Sequence, residues 1–593
     1  LKVFCKNTGG TGLFYRRILL VSFFLGLGVL ICGKGVGQKK ETVSLDSPSC
    51  SDVLQIFSWS RNNHGFTQSS LNDPEFAKRV AVLFSEKLDP NYVLFLESEV
   101  QALSKTVSKR WSSLVQKKDC GVFKNWFNQT LTSAKNRLDS QVVSKSKSVR
   151  KGSPAKYHSF ASDPQELALR QKAFLESVPY DAREILFPEE LEPQTVLAKA
   201  MLGALDPYST YFSESEFSDF YEELAGKSAG VGITVEKSLI GLEITEVVAQ
   251  SPADLAGIKS GDEILEVDGK SLAHLSFRKS AQLLKGDDAT ELKLTIESKN
   301  GRAVKTLKRT TRVFEDKKVA TVQIKKAGDK QIALVSVPSF YGRSGLGSED
   351  ESERSSAEDL KKQIESLQEA GKVDVLILDL RGNPGGYLEE AITMAGFFLG
   401  PKEVVGIKDR EELRTLKADW TTSPIYNGPL IVWVDEETAS AGEVLAAALK
   451  DHQRALLVGS PTTFGKGSVQ KLIRLNDPFL NLKLEKNTGV IKLTTSAFFS
   501  PMGHSPANGG VKTHISLADK STKSAAQEVK PQSLKTKDLG PLMDSSQLRE
   551  LNEKESEFQS LVARIQSRES DKDKTEISQV FEIADQVLEL KAF

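Results

Sequence analysis

Neither sign of charge is in surplus. The 593 residues carry 79 Lys and Arg against 79 Asp and Glu. That cancellation gives no support to a nucleic-acid partner. Cysteine is scarce as well, with only Cys5, Cys32, Cys50 and Cys120. No Cys/His spacing suits a zinc site, and no metal or organic cofactor is implied. His-Glu-x-x-His does not occur, nor do Lys-Thr-Gly and Ser-Asp-Asn. Their absence argues against a zinc peptidase and a penicillin-binding serine-lysine enzyme. There is no tandem repeat. The apolar run from Ile18 to Cys32 is shorter than the ~20 residues a spanning helix needs.

What is present is enough chain for about three or four domains. Apolar content of 39% and charged content of 27% are ordinary for a soluble multidomain protein. Arg16-Arg17 ahead of the Ile18–Cys32 run reads as an export signal over residues 1–37, with Gly35-Val36-Gly37 as a small-x-small cleavage site. Two alternatives stay open. Cys32 can carry a lipid, although Ile31 fits that pattern poorly, or the segment stays as an uncleaved anchor. Cys50 and Cys120 either pair in an oxidising compartment or stand as two thiols.

The most informative pair is Ser440 and Lys466. Ser440 follows a strand-like run, Pro429 to Val434, and precedes a good helix former, Glu443 to Leu449. A hydroxyl at a strand-to-helix turn sits where the first free amides of a helix can face an oxyanion. Thr438 stands in place of the first glycine of G-x-S-x-G, so this is not a typical α/β-hydrolase elbow. Lys466 lies between Gly465 and Gly467, beyond the next short strand. Serine with a lysine base is a variant of triad logic. The bland reading makes Ser440 an N-cap and Lys466 a surface charge.

Three blocks argue against the bland reading. They are Leu378-Asp379-Leu380-Arg381-Gly382-Asn383-Pro384-Gly385-Gly386, Thr438-Ala439-Ser440-Ala441, and Phe464-Gly465-Lys466-Gly467 followed by Gln470. In order and spacing the chain resembles the C-terminal processing (tail-specific) serine proteases, from about Ser70 to its end. The resemblance implies a multidomain α/β protein. Its core would be a crotonase-like β-α superhelix with an inserted PDZ domain and helical N- and C-terminal regions. The expected divisions are a signal at 1–37, a helical N-terminal domain at 38–215, a PDZ domain at 216–312, the protease core at 313–517 and a helical C-terminal domain at 518–593. Within them, Tyr92 to Leu96 is expected to be helical, 144–156 a flexible connection and 344–359 a mobile acidic loop. Phe277 to Leu284 is expected to be a helix of the PDZ domain.

The same resemblance assigns roles. Ser440 is the nucleophile and Lys466 its base, which must be desolvated or otherwise depressed from its reference pKa near ~10.4 to act. Gln470 orients the lysine, and a neutral amide suits that task because a carboxylate would favour the charged base. Ala441 supplies one oxyanion amide and Gly385 the other, with Gly386 as the alternative; Pro384 has no amide to give. Asp451, eleven residues past Ser440, reads as a structural or capping acid. No histidine sits in a recognisable context for a base. Gly230-Val231-Gly232-Ile233 takes the place of the carboxylate-binding loop, followed by Ser251-Pro252-Ala253 and Gly261-Asp262-Glu263 signatures. There glycines let successive amides converge on a terminal carboxylate. The expectation is an exported endopeptidase of a bacterial periplasm or envelope. Its partners would be protein substrates with free, apolar C-termini, and membrane association would come only through an N-terminal anchor or lipid. The rival readings are a non-catalytic PDZ scaffold and a carboxypeptidase-like or small-substrate hydrolase that uses the same dyad.

Overall fold

The computed structural model describes residues 47–593 apart from 67–72, 141–156, 178–191, 226–228, 239–240, 249, 273–274, 276, 300, 311–317, 328, 343–354, 420–422, 487–488, 518–535, 568–574 and 591–593. The expected signal at 1–37, the connection at 144–156 and most of the acidic loop lie outside the described residues. The end of that loop is helix rather than coil. Ser355 caps it by accepting from the Glu358 N–H, because a serine at this position satisfies an orphan amide.

The N-terminal region is built from α1 (Cys50–Asn63), α2 (Pro74–Leu88), α3 (Glu97–Lys117), α4 (Gly121–Ser140), α5 (Pro164–Ser177) and α6 (Pro193–Gly203). Their apolar faces share one core, in which Phe57, Phe76 and Trp111 meet ring to ring. A Cys50–Cys120 disulfide joins the start of α1 to the approach to α4. Tyr92 to Leu96 is not helical. The Asp89 carboxylate accepts from the amides of Val93, Leu94 and Phe95, which offers the backbone an alternative to the helix ladder.

After α6 the chain makes a tight turn at Asp206 to Ser209 and enters β1 (Thr210–Phe212) and α7 (Glu214–Ala225). A small antiparallel sheet follows, comprising β2 (Ile233–Lys237), β3 (Leu242–Val247), β4 (Glu263–Val267), β5 (Lys270–Ser271), β6 (Glu291–Ser298) and β7 (Gly301–Lys308). The short helix α8 (Pro252–Leu255) and α9 (Phe277–Leu284) belong to the same region. Strand β2 is an edge of this sheet, and α9 packs beside it.

Two further sheets make the core, with strands β8 (Ala320–Ala327), β9 (Lys330–Ser336), β10 (Val375–Asp379), β11 (Glu403–Lys408), β12 (Leu413–Lys417), β13 (Leu430–Val434), β14 (Leu456–Gly459), β15 (Ser468–Arg474), β16 (Val490–Phe499) and β17 (Ile515–Ser516). One sheet runs β17-β14-β13-β10-β9-β8, all parallel except the β8–β9 pair. Its inner strands β9, β10, β13 and β14 are apolar on both faces, as a sheet covered on both sides requires. Leu376, Leu378, Val432 and Leu457 pack with helices α10 (Ser356–Ala370), α11 (Leu388–Leu399) and α12 (Ala441–Asp451). Ile377, Ile431, Trp433 and Val458 pack with α13 (Ser545–Ser567) and α14 (Glu576–Glu589). In the other sheet, β16 pairs with β15, β11 and also β1, so the strand after the N-terminal helices is built into the core. Among the described residues, no helix is long and apolar enough to cross a membrane.

Candidate active site

The carboxyl ends of β10 and β13 lie side by side, and each runs into a tight turn. Such strand ends are where open parallel sheets place their ligands. In the turn after β13 the Thr438 hydroxyl donates to Leu380 O at 2.8 Å, and the Ala439 N–H donates to Asn383 O at 2.9 Å. These bonds lock the two turns together. Ser440 then takes φ 55°, ψ −115° at the head of α12 and is only half-buried. A left-handed φ on a non-glycine residue is uncommon and persists only where the surroundings hold it. Here the Ser440 N–H is held by Glu443 Oε2 at 2.9 Å.

The glycine turn after β10 presses on that serine. Gly385 has φ 103°, and a Cβ built on it would stand 2.7 Å from Ser440 Cβ and 3.1 Å from Ala441 N. Only glycine admits this approach. The Ala441 N–H, first of its helix, carries no hydrogen bond among the described residues. The expectation for Gly385 changes: its N–H donates to Asn383 Oδ1 at 2.8 Å, so it is already engaged. The Gly386 N–H has no partner among the described residues.

Lys466 reaches the site on a loop tied to the serine turn. The Phe464 N–H donates to Thr438 O at 3.0 Å. The buried Glu443 carboxylate accepts from Thr463 Oγ1 at 2.6 Å, Gly465 N at 2.7 Å and Lys466 N at 2.8 Å, besides Ser440 N. One side chain therefore holds both turns. Burial raises its pKa, and these bonds oppose the rise. The Lys466 ammonium is pushed down to about 8, by burial first and by the Lys492 charge second, against the pull of Glu443 and Asp206. Its Nζ lies 5.4 Å from the centre of the Tyr208 ring. Among the described residues, no hydrogen bond joins Lys466 Nζ to Ser440 Oγ. Gln470 directs its Nε2 at Ser468 Oγ, 2.8 Å, and Thr494 Oγ1, 3.4 Å, rather than at the lysine.

Asp451 ends α12, at the opposite end from Ser440, and accepts from Met502 N at 2.8 Å. Of the histidines, His452 bonds Glu403 O, His504 bonds Asp538 and His514 accepts from Leu457 N. His64 is buried against Asp206, and His274 lies outside the described residues. In the PDZ-like region the Gly230 N–H donates to Thr310 O at 3.2 Å and Gly230 O accepts in return. The Gly230 amide is therefore already engaged. The amides of Val231 and Gly232 carry no backbone bond among the described residues, and Ile233 opens the edge strand.

Sequence reasoning missed Glu443, Asn383, Asp206, Tyr208 and Thr494. A signal existed for Glu443, because Ser440-x-x-Glu443 is a capping-box spacing. The others are set by contacts between distant segments.

Residues 331–517 match peptidase family S41, and residues 243–298 match the PDZ domain family. The carboxy-terminal-processing protease of Bartonella bacilliformis is 30% identical over 53% of this chain and 67% of its own length. The tail-specific protease of Haemophilus influenzae is 30% identical over 55% of the chain and 45% of its own length. The carboxy-terminal processing protease CtpA of Bacillus subtilis is 31% identical over 54% of the chain and 62% of its own length.

Proposed function

The chain belongs to peptidase family S41, with a PDZ domain, and from that premise we propose that it is an exported serine endopeptidase. It takes protein substrates by a free, apolar C-terminus on its PDZ domain and cuts an internal peptide bond with Ser440 and Lys466. The observation that carries this reading is the Glu443 carboxylate, which binds the backbone of Ser440 and of Lys466 together. A scaffold that had lost catalysis has no need of that link, nor of a lysine held near 8.

In this reading a neutral Lys466 takes the Ser440 hydroxyl proton as Oγ attacks the scissile carbonyl. The oxyanion accepts from the Ala441 N–H and from the glycine turn, where the engaged Gly385 amide favours Gly386 as donor. Lys466 then gives its proton to the leaving amine, and water repeats the sequence on the acyl-enzyme. Gln470 orients the lysine through its carbonyl oxygen, since its Nε2 is taken. Val231, Gly232 and Ile233 receive the substrate's terminal carboxylate, and the tail adds beside the β2 edge. The Cys50–Cys120 disulfide supports an oxidising, extracytoplasmic location.

The test is incubation with a protein that ends in a free apolar tail, read by intact mass. Internal cleavage products are expected, and Ser440→Ala and Lys466→Ala should each abolish them with the fold retained. Cleavage by a folded Lys466→Ala protein would overturn the lysine base.

A further inference from the structure

At the end of α1, far from Ser440 in sequence, a histidine and an aspartate are both shut away from solvent. The side chains of His64 and Asp206 are fully buried, with Nε2 2.8 Å from Oδ2. The His64 Nδ1 accepts from the Phe66 N–H at 3.1 Å. With Nδ1 an acceptor, Nε2 carries the proton and donates to the carboxylate. Gly65, the next residue, docks on β16: its N–H donates to Thr494 O at 3.0 Å, and a Cβ there would fall 2.2 Å from Thr495 O.

Asp206 passes this anchoring onward in two directions. Its Oδ1 accepts from the Tyr208 N–H at 2.7 Å and so fixes the turn that places the Tyr208 ring beside Lys466. The same oxygen accepts from Thr494 Oγ1 at 2.9 Å. A hydroxyl that donates to a carboxylate keeps its lone pairs for another donor, and here that donor is Gln470 Nε2. A group buried this deeply without satisfied partners would be costly, so a fully bonded chain is a rigid one.

Resting on the Ser440–Lys466 reading, we propose that the His64–Asp206 pair is a remote positioning device for the base, which sets the Gln470 amide through Thr494 and the Tyr208 ring through the turn at Asp206. Neither residue touches substrate. The pair ties the catalytic geometry to the docking of α1.

The test uses the full chain and a protein substrate with a free apolar tail, with kcat, KM and the pH profile of kcat measured beside thermal unfolding. Thr494→Val should lower kcat about tenfold or more with KM within about twofold, and Thr494→Ser, which keeps the hydroxyl, should recover the rate. Asp206→Asn should lower kcat and also move the acid limb of its profile to lower pH. The groups acting on Lys466 are Lys492, Glu443 and Asp206, with the Tyr208 ring alongside, and the variant deletes one of the two negative charges. Wild-type kcat in folded Thr494→Val overturns the inference, even if Asp206→Asn fails to fold. So does an Asp206→Asn acid limb that stays in place, or a Thr494→Ser as slow as Thr494→Val. Cleavage surviving in Ser440→Ala removes the dyad itself and the inference with it, a result separate from the other three.

Discussion

Glu443 cannot be exchanged for its amide without loss. Each of its two oxygens accepts two hydrogen bonds, from Thr463 Oγ1 and Gly465 N on one side and from Ser440 N and Lys466 N on the other. Glutamine of the same shape would turn an NH2 group against two donors. Bonds to a charged acceptor are worth about 1.5–3 kcal/mol each, so Glu443→Gln should destabilise the fold by roughly 3 kcal/mol and slow turnover at least about tenfold. Urea unfolding and kcat measured together check this; full activity with unchanged stability would leave the carboxylate without the linking role. At this scale the sequence was informative about chemistry and poor about support. Ser440, Lys466 and the glycine turn stand out because the chemistry proposed for them restricts residue type and spacing. Asn383, whose Oδ1 accepts from the Gly385 amide, is an ordinary polar residue until its neighbours are known.

Among the elements, helices and strands with strong periodicity were legible, such as Leu388–Leu399 and Leu430–Val434. Tyr92 to Leu96 was not, because an aspartate outside the apolar run captures three of its amides. The pairing of Cys50 with Cys120 also waits on packing, since it needs α1 and the approach to α4 side by side, with Cα atoms 5.8 Å apart. The crosslink spans 70 residues. Chain-entropy reasoning for a loop of that length gives about 4 kcal/mol. A Cys50→Ser, Cys120→Ser double variant should therefore unfold at markedly lower denaturant than the oxidised parent. Reduction of the parent should produce the same displacement. Equal midpoints for all three would show that the bridge contributes nothing to stability.

For the molecule as a whole, the PDZ domain and the Ser440 site are separate sites on one chain, so tail binding and bond cleavage should be separable by chemistry. Amidating the substrate's C-terminus removes the charge that the Val231 and Gly232 amides would take up. Affinity should fall about tenfold or more, and the internal cut positions should stay where they are. Matched acid and amide peptides, measured for affinity and product mass, decide it; equal affinity would end the tail-specific reading while sparing the nucleophile. The long-range architecture was the least legible part. Nothing local in residues 210–212 announces that they pair with β16, and nothing near His64 points to Asp206 and Thr494. These partners are selected by how whole regions pack.

The β1–β16 pairing and the docking of α1 have a consequence for biosynthesis. Asp52 on α1 accepts from Glu485 N, a partner 433 residues further along the chain. At about 5–20 residues per second, that partner emerges roughly 20–90 seconds later. During that interval the N-terminal helices exist without the strands that finish them, and the segment bearing Lys466 and Gln470 has yet to join them. A peptidase that works by the proposed dyad would stay silent until the segment bearing Lys466 and Gln470 has been made and has joined the N-terminal helices.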